Sequence, residues 1–205
     1  MKCSRARRTS PRHPSPARGG DDLGNERSAR FEELYAAHLG HVTGYVRRRT
    51  DDPDDAADAI AETFLVAWRR LDDVPRDGSA RFYLYGVARR TLANQRRGER
   101  RRRALAVRIG QDLACDLAAE PVPDPERPEI AAAFRALADA DRELLGLATW
   151  EGLDPGEIAA VLGVSRNAAR IRLHRARRRF AAELERRAAR PAVHAPAARS
   201  KGEPA

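Results

Sequence analysis

Apolar positions along this chain recur at steps of three and four, and nowhere do they alternate with the period of two that marks a half-buried strand. The pattern predicts an all-α protein. A first helix is predicted over residues 31–49, where Phe31, Leu34, Tyr35, His38, Val42, Tyr45 and Val46 keep helical spacing. A second covers residues 51–71, with Ile60, Phe64, Ala67, Trp68 and Leu71 as its inner stripe. Pro53 opens it, and Asp54, Asp55 and Asp58 suit the positive end of the helix dipole. Residues 72–80 read as a loop punctuated by Pro75 and Gly78. A third helix starts at Ser79 or Ala80 and runs through the arginines to residue 103, with Leu84, Val87, Ala88 and Thr91 inward. Pro121, Pro123, Pro125 and Pro128 then break the pattern, so residues 104–128 read as a flexible linker carrying one short helix near 105–117. Helices over 129–137 and 139–150 follow. The expected organisation is a disordered basic extension (1–27), a helical domain (28–103), the linker (104–128), a second helical domain (129–188) and a disordered tail (189–205).

Residues 154–180, DPGEIAAVLGVSRNAARIRLHRARRRF, are the most informative stretch. Asp154 can cap a helix that has Pro155 at its first position, and Glu157 sits where it completes a capping box. Gly163 falls where a left-handed residue ends a helix, and Ser165 can cap the next one. In that second helix Ala169, Leu173, Ala176 and Phe180 form an inner stripe. The opposite face is read as carrying Arg166, Arg170, His174 and Arg177, flanked by Arg172, Arg175 and Arg179. An ordinary solvated helix face mixes acids with bases, which support one another at one-turn spacing. From Arg166 to Phe180 there is no acid at all. Such a surface repels itself unless a polyanion neutralises it, and a helix-turn-helix places its second helix in the major groove.

Two further surfaces carry candidate chemistry. Asp54, Asp55, Asp58 and Glu62 give the second helix a strongly acidic outer face. With no basic or histidine partner nearby in sequence, the face reads as a protein contact, not as a catalytic or metal site. In the third helix Phe82, Tyr83 and Tyr85 are interleaved with Arg81, Arg89, Arg90, Arg96 and Arg97, a pattern that suits unstacked bases stacking on rings while arginines hold the backbone. The competing reading leaves one or two of those rings to the core. His38 and His41 stand three apart without supporting ligands, so they are expected to be structural, and no metal or other cofactor is indicated.

Composition sharpens this picture. The net charge over 205 residues is +9, and of the 39 basic residues only Lys2 and Lys201 are lysines, leaving 37 arginines. Arginine offers a planar fork suited to phosphates and guanine edges. Cys3 and Cys115 fall in segments expected to be disordered, which gives no disulfide framework or zinc site. The first twenty residues lack the apolar core of a secretory signal, and no apolar run approaches the ~20 residues that span a bilayer. A cytoplasmic protein with no membrane insertion is expected.

The order of an acidic helix, an aromatic-basic helix, a linker and a helix-turn-helix resembles the sigma-70 family of bacterial RNA polymerase initiation factors, in its small extracytoplasmic-function (ECF) group. DAADAIAETFLVAW at residues 55–68 is similar to the family's region 2 signature, FYLYGVARRTLANQRR at 82–97 to its promoter-melting helix, and residues 151–180 to its region 4 signature. The resemblance implies that Asp55, Asp58, Glu62 and Trp68 dock on the clamp helices of core RNA polymerase. It implies that the 72–80 loop with Arg76, and Tyr83, Tyr85, Arg89, Arg90, Asn94, Arg96 and Arg97 after it, capture and open the minus-10 element. Ser165, Arg166, Asn167, Arg170, Arg172, His174, Arg175, Arg177 and Arg179 then meet the minus-35 element, and the linker threads toward the RNA exit path. The implied partners are core RNA polymerase and promoter DNA, with an anti-sigma factor common in the family but identified by no residue here. The sequence departs from the family pattern at Tyr83, where Trp is common, at Arg90, where Asn is common, and at Asn167, Ala168 and Ala169, which replace Gly, Thr and a β-branched residue.

The resemblance implies a binding protein and not an enzyme. Two alternatives use the same helix-turn-helix: a stand-alone transcriptional regulator, and a recombinase. The first has no need of an aromatic-basic single-strand surface, and the second requires a mixed α/β catalytic domain for which no strand is readable.

Overall fold

The computed structural model describes residues 19–108 and 127–189, all of whose regular structure is helical. Helix α1 spans Gly19–Arg47, α2 Pro53–Arg69, α3 Ala80–Arg108, α4 Pro128–Arg135, α5 Asp139–Thr149, α6 Pro155–Leu162 and α7 Arg166–Ala188. A 3-10 turn at Leu71–Asp73 interrupts the expected 72–80 loop. Expectations for residues 1–18, most of the linker and the tail from residue 190 lie outside the described residues, as do both cysteines.

The first bundle is α1, α2 and α3. Its core takes Val42, Tyr45 and Val46 from α1, Ala59, Phe64 and Ala67 from α2, and Leu84, Tyr85, Ala88 and Leu92 from α3. Helix α2 starts as its sequence dictates: the Asp52 carboxylate accepts from the backbone N–H of Asp54 and Asp55 at 2.8 and 3.2 Å, and Pro53 needs no partner for a missing donor. Of its expected inner stripe, Phe64 and Ala67 are buried, while Ile60 and Trp68 are half-buried at the rim; Leu71 is buried from the following turn.

Helix α1 begins twelve residues before the expected Phe31, and the expected disorder of residues 1–27 therefore fails from Gly19 onward. Polar anchors are the reason. Arg27 donates to the Trp68 carbonyl at 2.7 Å and to Asp72 at 3.2 Å, and Arg30 donates to the Val74 carbonyl at 2.8 Å. These bonds tie the start of α1 across the end of α2, where apolar periodicity has nothing to register.

The second bundle is α4 to α7. Asp154 and Glu157 form the reciprocal capping box, with the Asp154 carboxylate accepting from Gly156 and Glu157 and the Asp154 N–H donating to Glu157. Gly163 ends α6 at φ 66°, the left-handed conformation that glycine adopts without strain. Ser165 caps α7 through its hydroxyl, which accepts from Ala168 at 3.2 Å. Ala169, Leu173 and Ala176 are buried along α7, and Phe180 meets Phe134 edge-on at 6.4 Å between ring centroids.

The two bundles are packed together. Helix α3 lies against α6, and one apolar cluster runs from Val42 and Tyr85 through to Ile158, Val161 and Leu173. Gly86 makes the contact possible: a Cβ there would stand 3.2 Å from the Val161 carbonyl oxygen.

Ile158 is fully buried at the centre of the second bundle. Truncation to alanine is expected to cost ~2–5 kcal/mol and Ile158→Val ~0.5–1.5 kcal/mol, read as shifts in the urea midpoint of the full chain at unchanged slope.

Candidate nucleic-acid interface

Helix α7 carries its arginines outward. Arg166, Asn167, Arg170, His174 and Arg177 are all exposed: Asn167 and His174 lie opposite the Ala169–Leu173–Ala176 stripe, Arg170 and Arg177 on its flank, and Arg166 in line with it beside Gly156 of α6. Arg170 donates to the Asn167 side-chain oxygen at 3.1 Å, so the two lie side by side one turn apart. Arg172, Arg175 and Arg179 turn to one flank, where with Arg89 of α3 they line a cavity of about 290 Å³ between the bundles. Arg179 is committed: its Nη1 lies 2.8 Å from each carboxylate oxygen of Asp141, whose side chain is 9% exposed. An arginine engaged in this way orients α7 on α5 and has less to offer a phosphate.

The residues expected at the minus-10 element are dispersed. Arg76, Arg89, Arg90 and Asn94 are exposed, Arg97 donates to the Asn94 side chain, and Arg96 donates to the Arg49 carbonyl. Tyr83 is half-buried against Leu71, Val74 and Ala80. Tyr85 is only 1% exposed. Its ring stacks on Tyr45 at 4.8 Å between centroids, and its hydroxyl points to Glu151 at 3.4 Å. In this arrangement no base reaches the Tyr85 ring, which belongs to the core.

The acidic face lies on the far side of the first bundle. Asp58 and Glu62 are exposed one turn apart on α2, and Asp55 is half-buried at its start. Burial, then the neighbouring Glu99 carboxylate, raise the Asp55 carboxyl above the ordinary aspartate range. Trp68 is half-buried, set edge-on to Phe31 at 5.2 Å and covered by the Arg27 guanidinium at 5.2 Å from its ring. Beside the acids, an apolar groove of about 450 Å³ is lined by Phe31, Ala61, Phe64, Leu65 and Trp68. His38 and His41 stand with ring centroids 6.3 Å apart.

Sequence reasoning missed a polar cluster between the bundles. Arg49 pairs with Glu143 at 2.8 Å and with Glu151 at 3.1 Å while lying 3.5 Å over the Tyr45 ring. Arg48 pairs with Glu151 at 2.7 Å, and the Tyr45 hydroxyl donates to Glu143 at 2.7 Å. Burial and then Glu143 hold the Tyr45 phenol well above its usual range; burial and then Glu151 push Tyr85 up to about 12. Burial opposes charge on Arg49, but Tyr45 and Glu143 more than offset it. The partners lie about a hundred positions apart in sequence, so no local signal joins them.

Comparison with known proteins now decides between the readings. Residues 34–102 match the family model for sigma-70 region 2, and residues 127–180 match that for sigma-70 region 4. The chain belongs to the sigma-70 family of RNA polymerase sigma factors. It is 33% identical over 173 residues to the RNA polymerase sigma factor CnrH of Cupriavidus metallidurans, covering 79% of this chain and 89% of the relative. It is 28% identical to the ECF RNA polymerase sigma factor SigL of Mycobacterium tuberculosis, covering 77% of this chain and 90% of the relative. The solved structure of CnrH with the cytosolic domain of CnrY superposes with a TM-score of 0.54 at 27% identity, covering 80% of this chain and 92% of that one. The protein is thus an ECF sigma factor, which works with core RNA polymerase and promoter DNA to direct transcription initiation. The stand-alone regulator is not favoured, since region 2 lies upstream of the helix-turn-helix. Among the described residues no helix is long and apolar enough to cross a membrane.

The buried phenols give a measurable signature. A tyrosine whose folded pKa lies above its unfolded ~10 binds its proton more tightly when folded, so its contribution is complete below pH ~10 and lost as pH rises through the folded value. For Tyr85 the window runs from there to about 12. Spectrophotometric titration should show two late-ionising phenols, Tyr45 and Tyr85, and Tyr85→Phe should leave one. Ordinary ionisation of Tyr85 in the folded chain would place its ring at the surface.

Proposed function

We propose that this sigma factor divides its work among three surfaces. The acidic face of α2, with Asp55, Asp58, Glu62 and Trp68, docks on core RNA polymerase. The loop after α2 and the exposed part of α3, with Arg76, Tyr83, Arg89, Arg90, Asn94, Arg96 and Arg97, hold the opened minus-10 element. The outer face of α7 reads the minus-35 element. The observation that carries this reading is the succession of region 2 and region 4 in one chain, each with its charged face turned outward.

The docking assignment gains support from the groove beside the acids: negative charge next to an apolar trough suits a partner helix carrying bases and apolar anchors. For α7, base reading falls to Arg166, Asn167 and Arg170 near the helix start, which enters the groove first. Phosphate contact falls to Arg177, and to Arg172 and Arg175 on the flank. Arg179, held by Asp141, takes a positioning part. The protein acts in the cytoplasm as a binding factor without catalysis or cofactor. An anti-sigma partner is part of the proposal, by analogy with CnrH, whose solved complex contains the cytosolic domain of CnrY.

Run-off transcription with purified core polymerase and a matched promoter tests the whole reading, and absence of a specific transcript overturns it. Asp58→Arg tests the docking face: core affinity should fall while circular dichroism stays that of the wild type, since Asp58 is exposed. Unchanged affinity would remove the assignment.

The α7 roles separate by sequence and salt. Arg170→Ala is expected to lose ~1–3 kcal/mol of discrimination between matched and scrambled minus-35 duplexes. Arg177→Ala should weaken both duplexes alike and lower the salt slope by about one. Equal weakening of both duplexes by Arg170→Ala would reverse the two roles.

A further inference from the structure

Helix α7 presents one large apolar side chain to solvent, and no part of the proposed function uses it. Ile171 is 40% exposed and belongs to neither apolar cluster of the described residues. Of the exposed large apolar side chains among those residues, Ile171 alone belongs to α7. Counted from the buried Ala169, Leu173 and Ala176, it stands on the far side of the helix, in the second turn. Asn167 lies one turn before it and His174 one turn after, both exposed. Its sequence neighbour Arg170 donates to the Asn167 side-chain oxygen at 3.1 Å.

An isolated exposed isoleucine is ordinary on a protein surface and by itself calls for no explanation. The place of this one does. Isoleucine forms helix less readily than the arginines and alanines that dominate this segment, so helix stability gives no reason for it. Core packing gives none either, since the side chain lies outside both clusters. A phosphate-binding face gains nothing from a side chain without a donor. The major groove, however, offers one apolar group, the C5 methyl of thymine, and apolar side chains contact it there. A helix that enters the groove by its start lays its first turns on the base edges. Asparagine pairs bidentately with adenine. Asn167 and Ile171, four residues apart, are ~6 Å apart along the axis, about two base-pair steps at ~3.4 Å each.

We propose that Ile171 is a specificity-determining residue: its side chain packs on the C5 methyl group of a thymine in the minus-35 element, within two base-pair steps of the pair that Asn167 reads. The proposal rests on the assignment of the outer face of α7 to that element. It adds a preference that the arginines cannot supply. A guanidinium fork selects guanine or holds phosphate, whereas an apolar contact separates thymine from cytosine, which carries no methyl at C5. Such a contact is not weakened by salt, so it discriminates even where the phosphate contacts are screened.

Holoenzyme formed from the full chain and core polymerase can select its preferred sequence from promoter fragments randomised over the minus-35 element. Each thymine of the selected element, on either strand, is then replaced singly by deoxyuridine, which lacks only the C5 methyl. One replacement should weaken wild-type binding roughly fourfold, the effect of one buried methyl group, at low and high salt alike. Ile171→Ala should bind the thymine and deoxyuridine promoters equally well. Its circular dichroism should match the wild type, because the side chain is exposed and alanine favours helix. A selected element without thymine, or deoxyuridine without effect at every position, overturns the inference while leaving α7 as the reader. So does a full methyl effect that persists in Ile171→Ala. A wild-type holoenzyme that selects no minus-35 sequence at all overturns the assignment of α7, and this inference with it.

Discussion

The arrangement of this molecule hangs on a single carboxylate. Glu151 lies in the bend between α5 and α6, its side chain 2% exposed, and receives Arg48, Arg49 and the Tyr85 hydroxyl from the other bundle. A buried charge of this kind is costly unless every lone pair is met, so the groups around it have little freedom. Arg49 must lie flat on Tyr45 to reach both Glu151 and Glu143, and Tyr45 must stack on Tyr85 to leave room for it. The close approach at Gly86 follows, because the bundles must meet for Glu151 to be buried at all. Such a network contributes specificity of arrangement more than net stability.

Charge elsewhere is segregated by what each surface meets. The α2 face carries Asp58 and Glu62 beside an apolar groove, while α7 from Arg166 to Phe180 offers arginines with no intervening acid. These faces point away from the cores, so their mutual repulsion falls on water and on whatever partner supplies the counter-charge. Asp141 of α5 takes Arg179 with both oxygens, and Glu183 takes Arg186 and Arg187 further along, which leaves Arg170 and Arg177 exposed. Within one helix, an arginine that fixes orientation is thereby separated from arginines available to a polyanion.

Local chemistry was readable from the sequence, and non-local chemistry was not. The Asp154 capping box, Gly163 and the Ser165 cap each depend on residues within a few positions, and the Leu173 stripe depends only on helical period. Tyr85 was harder. Its place among arginines resembles a base-stacking site as much as a core position, and only the Tyr45 ring, forty residues upstream, decides for the core. The early start of α1 was invisible for a related reason: Arg27 and Arg30 hold it through the carbonyls of Trp68 and Val74. Glu143 and Glu151 carry no local signal, since their partners are Tyr45 in α1, Arg48 and Arg49 just after it, and Tyr85 in α3.

The departures from the family pattern in the recognition helix are consistent with its packing. Ala169 and Ala176 are fully buried, so α7 approaches its neighbours closely at those points without needing a larger side chain. What alanine gives up in buried area it partly regains in helix propensity, and Phe180 supplies the bulk further along by meeting Phe134, which in turn meets Trp150 at 5.1 Å. The aromatic chain fixes the C-terminal half of α7, and Arg179 on Asp141 fixes its rotation about its own axis. The first turns, with Arg166, Asn167 and Arg170, are held by the Ser165 cap and by packing on α6, where Ala169 is fully buried and the Arg166 side chain lies beside Gly156. The exposed side chains of Asn167 and Arg170 thus stand on a helix start that is anchored underneath, whereas beyond Phe180 the helix buries only Glu183.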